Sequence, residues 1–194
     1  MSNLSPSSKR ALREELVAAR ARLAPDDRAA RAARIAACVL GLEAFEKART
    51  VALYAALGAE VDPARVAAEA ARRGKRLAYP RLAAGEQALR FACCAPDALV
   101  PGPHRTIEPP PDAELVDPCE LDLVLVPLVA FDSACRRLGR GRGHYDATLA
   151  SLPSGAAKIG LAFELQMVPG VPEEPHDIAL DAVVTEERVR WRSR

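Results

Sequence analysis

Several things are scarce in this sequence, and each scarcity removes a class of protein. Aromatic residues make up 4% of its 194 positions, too few for a surface that stacks on nucleic-acid bases. There is no basic surplus. Lys and Arg number 27 against 26 Asp and Glu, a net charge of +1, whereas nucleic-acid binders usually carry a basic excess. Lysine itself is rare: Lys9, Lys47, Lys75 and Lys158 are the only ones, and arginine supplies the remaining cations. Genomic base composition accounts for that bias, together with the abundance of alanine. No C-x-x-C and no paired Cys/His spacing occurs, which argues against a zinc site. Five cysteines, an odd number, argue against a disulfide framework. Cys38, Cys93, Cys94, Cys119 and Cys135 are expected to be buried free thiols in a reducing compartment. No apolar run approaches the ~20 residues of a membrane span. The stretch Met1–Arg13 is polar and charged, without the apolar centre of a signal peptide. The expectation is a cytoplasmic protein with no membrane and no nucleic-acid partner. At ~100–200 residues per domain, the chain reads as one domain over 1–194, able to bury a core without disulfides or a structural metal.

What is present reads as alternating helix and strand. Ser5-Pro6 suits a helix start, and Leu12, Leu16, Ala19 and Leu23 recur at helical spacing, giving a helix from about Pro6 to Leu23. Pro25-Asp26-Asp27 opens a second, with Ile35, Val39 and Leu40 on its apolar side. Thr50–Ala56 is short, apolar and β-branched, a buried strand. Asp62-Pro63 opens a helix that Arg73-Gly74 closes. Arg76–Pro80 and Leu89–Cys93 are further strands. Prolines crowd residues 96–118, including Pro109-Pro110-Pro111, and exclude helix or central strand there; a long surface loop is expected. Leu121–Val129 is apolar on both alternations, as a central parallel strand covered on both faces should be. A glycine-rich turn follows, then a helix from Tyr145 to Leu152, a strand over Lys158–Phe163 and a last strand over Asp181–Thr185. Residues 188–194 read as a frayed basic tail. The class is α/β with a mostly parallel sheet.

In such sheets ligands bind at the carboxyl ends of the strands. The central strand leads into Arg137-Leu138-Gly139-Arg140-Gly141-Arg142-Gly143-His144-Tyr145-Asp146. Alternating glycines let the backbone approach a ligand, and the following helix directs its positive end to the same place. With Arg137, Arg140 and Arg142 this suits a polyphosphate, and Asp146 is a natural Mg²⁺ ligand. The run is neither a Walker A nor a G-x-G-x-x-G, and a mobile turn with solvated arginines or an RNA-contacting loop would read the same way. Lys9 and Arg13 stand at i, i+4 on one helix face, at the end of the helix dipole that disfavours cations. Either an anion lies nearby or this is a solvated face. Glu60, after the Thr50–Ala56 strand, could bind the ring nitrogens or amino group of a heterocycle; Asp62 reads as a helix cap. Asp177 is a second metal carboxylate or a plain loop residue, and His104 is left structural.

These pieces together resemble the 5-formyltetrahydrofolate cyclo-ligase family, also called methenyltetrahydrofolate synthetase. The resemblance rests on K-x-x-[LI]-R at Lys9–Arg13 and Y-x₅-E-V-D at Tyr54–Asp62. It continues in Gly74–Pro80, Glu108-Pro109, the long signature Asp122–Asp146, and His176-Asp177 followed by Leu180–Glu186. It implies a three-layer α/β/α sandwich with a mostly parallel sheet, similar to the ribose-phosphate isomerase and CoA transferase fold. The implied reaction is ATP-dependent cyclisation of 5-formyltetrahydrofolate to 5,10-methenyltetrahydrofolate with Mg²⁺, by a monomer or weak homodimer. The resemblance places ATP on Lys9, Arg10, Ala11, Leu12 and Arg13, and on Arg137, Leu138, Gly139, Arg140, Gly141, Arg142, Gly143, His144 and Tyr145. It places the folate on Ala55, Glu60 and the segment Arg140–His144, the metal on Asp146 and Asp177, and catalysis on Arg142 and Lys9. Two positions depart from the family pattern: His144 replaces an aromatic residue, and Leu128 stands where glycine is common.

Overall fold

The computed structural model describes residues 6–193; Ser5, the expected helix cap, lies outside them, as does Arg194. The helices are α1 (Pro6–Ala21), α2 (Pro25–Leu40), α3 (Glu43–Lys47), α4 (Ala64–Arg72) and α5 (His144–Ser151). The strands are β1 (Thr50–Ala52), β2 (Arg76–Arg81), β3 (Arg90–Cys93), β4 (Val100–Pro101), β5 (Ile107–Glu108), β6 (Leu115–Val116), β7 (Leu123–Pro127), β8 (Ala130–Phe131), β9 (Arg137–Leu138), β10 (Ala157–Leu161), β11 (Ala182–Val184) and β12 (Val189–Trp191).

Local chemistry explains the boundaries. Pro25 starts α2, with Asp26 and Asp27 at its positive end. Pro63 is the N-cap of α4; Asp62, expected to be the cap, stands one residue earlier, and its Oδ1 accepts from the Ala64 amide, the first of the helix, at 2.9 Å. Gly74 follows α4 at φ 70°, a left-handed position that favours glycine. Val66, Ala67 and Ala70 form the buried stripe of α4.

Eight strands form the main sheet in the order β12-β11-β10-β7-β1-β2-β3-β6. The five from β11 to β2 are parallel; β12, β3 and β6 run antiparallel at the two sides. From β1 the chain moves through α4 to β2 on one side, and from β7 through α5 to β10 on the other. Right-handed crossovers in opposite directions put the two helices on opposite faces and leave a crevice between the carboxyl ends of β1 and β7. Side chains alternate accordingly. Val51, Leu77, Leu123, Leu125 and Ile159 pack with α2, α3 and α4, whereas Ala52, Ala78, Val124 and Val126 pack with Phe131 and Leu149. The second face thus carries one short helix and the β8–β9 hairpin. A third cluster joins Leu16 of α1 to Ala130 and Leu138 of that hairpin, seating α1 beside the crevice.

Several expectations change. The strand expected over Thr50–Ala56 ends at Ala52, freeing residues 53–56 to turn toward the crevice. The proline-rich stretch is not all loop: it forms the β4–β5 hairpin and β6, which adds to the sheet edge, where proline is tolerated. Asp181–Thr185 is not the last strand, and 188–194 is not simply a tail. Val189–Trp191 pairs antiparallel with β11, and Arg190 binds Glu164. That pairing, with a hydrogen bond from Thr185, holds the Glu164 carboxyl below its usual range although burial opposes it. Of the cysteines, only Cys135 is buried; Cys38, Cys93 and Cys94 are half-buried and Cys119 is exposed, all as free thiols. Leu128 packs where Gly160 leaves room: a Cβ there would stand 2.7 Å from a Leu128 methyl and 2.6 Å from one of Leu180.

Candidate functional site

A cavity of about 470 Å³ opens at the crevice. Tyr54 and Ala55 after β1, and Pro127 and Leu128 at the end of β7, form its floor. Lys9 and Arg13 of α1 stand on one side, with the loop Gly139–Gly143 and the first residues of α5 beside them. Pro80, Leu82 and Leu89 make an apolar wall, completed by Ile107 of the β4–β5 hairpin.

Helix geometry divides the Lys9–Arg13 segment. Lys9 and Arg13, one turn apart, reach the cavity; Arg10, Ala11 and Leu12 do not line it. Arg10 is exposed and pairs with Glu14 at 2.9 Å, Ala11 is exposed, and Leu12 packs against the cluster around Leu16. At 100° per residue, a contiguous five-residue motif cannot face one ligand. The other expected site residues, Ala55, Glu60, Arg137 to Asp146 and Asp177, all line the cavity. Arg136 points elsewhere, to Asp132 at 2.7 Å.

The cations of the cleft are mostly held by its own acids. Lys9 Nζ lies 3.0 Å from Glu174 and 3.4 Å from Asp177, the anions its place near the helix start calls for. Arg137, buried, binds Asp146 at 2.7 Å and donates to the Ile178 carbonyl. Arg140 binds Glu60 at 2.8 Å; the second oxygen of Glu60 accepts from the Leu57 amide at 2.9 Å. Arg13 donates to the Gly139 carbonyl at 2.9 Å. The Arg142 side chain has no hydrogen bond or ion pair among the described residues, although it lines the same cavity. An incoming anion therefore meets one free guanidinium, one held by a loop carbonyl, and three cations, Lys9, Arg137 and Arg140, that must exchange a carboxylate for it.

The loop needs glycine at two places. Gly141 has φ 91°, and a Cβ there would come within 3.2 Å of the Arg13 guanidinium; Gly143 has φ 71° and precedes α5 as its cap. Tyr145 is half-buried, and its hydroxyl is buried with no partner among the described residues. Burial, with the Glu60 charge, raises its pKa far enough to keep it neutral. Tyr54 is raised likewise by burial and Glu60 and donates to the Val61 carbonyl at 2.7 Å.

Mg²⁺ prefers hard carboxylate oxygens, and Glu60, Asp146, Glu174 and Asp177 bring them to the cavity, so the residues fit it. Glu174, His176 and Asp177 offer ligand atoms within 4.8 Å of one another. Asp146 is not in that group, being turned to Arg137 and the Ile178 amide. Sequence reasoning missed Glu174, the apolar wall and the β4–β5 hairpin. His104, left structural above, lines the cavity too; its φ of 55° at a hairpin tip carries no sequence signal. No helix among the described residues is long and apolar enough to cross a membrane.

A sequence model described as the 5-formyltetrahydrofolate cyclo-ligase family matches residues 5–186. The 5-formyltetrahydrofolate cyclo-ligase of Mycolicibacterium smegmatis is 32% identical over 193 residues, covering 95% of this chain and 97% of that protein. The Escherichia coli K12 enzyme of the same name is 37% identical over 148 residues, 73% and 80% of the two chains. Among solved structures, the 5,10-methenyltetrahydrofolate synthetase of Aquifex aeolicus superposes with a TM-score of 0.83 at 30% identity, covering 96% and 93%.

Proposed function

The chain belongs to the 5-formyltetrahydrofolate cyclo-ligase family, and from that membership we propose how its cleft carries out the reaction. The activity is the ATP-dependent conversion of 5-formyltetrahydrofolate to 5,10-methenyltetrahydrofolate. The observation that supports the site is the convergence of Lys9, Arg13, Arg137, Arg140 and Arg142 with Glu60, Asp146 and Asp177 on one cavity.

A formamide oxygen is a poor leaving group, and transfer of the ATP γ-phosphoryl to it remedies that. The new P–O bond forms as the β,γ-bridging bond breaks and ADP departs. Substrate N10 then attacks the formyl carbon and gives up its proton. The C–O bond breaks with phosphate leaving, and the cationic methenyl bridge remains. Both nucleophiles belong to the substrate, so the protein needs no Ser–His or Cys–His pair. It positions the reactants and balances charge. Lys9 and Arg13 bind the triphosphate, the glycine-loop amides and the α5 amino end cradle it, and Arg142 meets the transferring phosphoryl group. Glu60, released when Arg140 turns to an anion, accepts from the folate heterocycle over Ala55. His144 and Tyr145 flank the loop, and the wall of Pro80, Leu82 and Leu89 takes the apolar part of the folate. Mg²⁺ held by Asp146 and Asp177 would neutralise phosphate charge and polarise the phosphoryl oxygens. We read 1–194 as one catalytic domain, cytoplasmic, working as a monomer or weak homodimer.

The test mixes purified protein, 5-formyltetrahydrofolate and Mg-ATP and follows the near-ultraviolet absorbance of the methenyl product. The expected result is one ADP per methenyl formed, with no product when Mg²⁺ is chelated. No absorbance change with ATP demonstrably bound would contradict the reading.

A further inference from the structure

The loop 82–89 between β2 and β3 lies far in sequence from the glycine loop, yet it holds one end of it. Gln87 Nε2 donates to the Arg142 carbonyl. The Gln87 carbonyl is 2.7 Å from His144 Nδ1; a carbonyl only accepts, so Nδ1 carries the hydrogen. A phenylalanine or tyrosine at position 144 would have no such donor. Two residues on, the Leu89 amide donates to Thr148 Oγ1 at 2.8 Å, and that hydroxyl donates to the His144 carbonyl at 2.7 Å. Gly143, between the two residues that Gln87 grips, leaves only 3.0 Å from a notional Cβ to Gln87 Nε2.

The glycine loop is thus fastened at both ends, by Arg13 at Gly139 and by Gln87 at Arg142. Glycines in alternation make a chain of high conformational freedom, so whatever fixes the loop fixes where Arg142 stands. Gln87 is exposed, lies outside the cavity lining and would touch no ligand. We propose that Gln87 is a positioning residue: it sets the Arg142 end of the glycine loop so that this guanidinium meets the transferring phosphoryl group. The proposal rests on the role of Arg142 given above.

Exposed hydrogen bonds add little to stability, whereas small displacements of a reacting group cost rate heavily. Gln87→Ala is therefore expected to lower kcat about tenfold while leaving the KM for the folate within about twofold and Tm unchanged. Gln87→Glu, which keeps length but loses the donor, should be equally impaired. The decisive comparison is Gln87→Ala made in an Arg142→Ala background. There it should change kcat by less than about twofold, because the arginine it acts through is gone. A kcat for Gln87→Ala close to the original, or the same tenfold loss in both backgrounds beside an impaired Arg142→Ala, would overturn the proposal alone. A fully active Arg142→Ala would overturn the underlying reading of Arg142 and the proposal with it.

Discussion

Replacing Arg142 by alanine is expected to lower kcat by about 10²- to 10³-fold while weakening folate binding far less. The reason is the charge inventory of the cleft. Lys9, Arg137 and Arg140 are each bound to carboxylates, and Arg13 is bound to a loop carbonyl. Arg142 alone among these has no partner among the described residues. It is the cation with least to give up when negative charge passes from the γ-phosphoryl toward ADP. Groups whose contact strengthens in the transition state act on kcat; groups that bind both states alike act on KM. Arg142→Lys should recover part of the rate, since an ammonium still neutralises phosphate as a point charge. Stopped-flow measurement of methenyl formation under saturating substrates, beside a binding titration with the folate, separates the two effects. An unchanged kcat removes Arg142 from the mechanism.

The second large effect is expected at Asp146, where structure and catalysis overlap. Its carboxylate binds the buried Arg137 and the Ile178 amide. Asp146→Ala leaves that guanidinium without its anion and should cost about 3 kcal/mol of stability. Asp146→Asn keeps an oxygen for both donors and should retain most of the stability. It loses the charge that would hold Mg²⁺, so kcat should fall about 100-fold or more, and more Mg²⁺ should be needed for half-maximal rate. Thermal unfolding of both variants, with Mg²⁺ titrations of the rate, distinguishes the roles. An asparagine variant with the original rate and Mg²⁺ dependence would show that Asp146 only supports Arg137.

Much of this was legible before any coordinates, for identifiable reasons. The central strand advertises itself because a parallel strand covered on both faces is apolar at every position, as Leu123–Val126 are. Asp62 and Gly74 mark α4 because a free amide at a helix entry and a left-handed turn at its exit each favour particular residues. Lys9 and Arg13 could be paired because helical spacing is periodic. What escaped notice is non-local. β12 looked like a basic tail, since three residues carry no periodicity and only β11 makes them a strand. The five residues of α3 are likewise too short to show a pattern. The motif Lys9–Arg13 reads as one ligand site, but the helix turns Arg10, Ala11 and Leu12 away. Glu174 and Gln87 gain their meaning from contacts across the fold, with Lys9 and with Arg142, which no local pattern encodes.

The central claim is that the cleft moves a phosphoryl group to the formyl oxygen and lets the substrate close its own ring. Isotope tracing tests this most directly. With ¹⁸O in the formyl group of 5-formyltetrahydrofolate, turnover with Mg-ATP in ordinary water should deliver the label into the released inorganic phosphate. Phosphate without label, with methenyl product formed at the normal rate, would contradict the account.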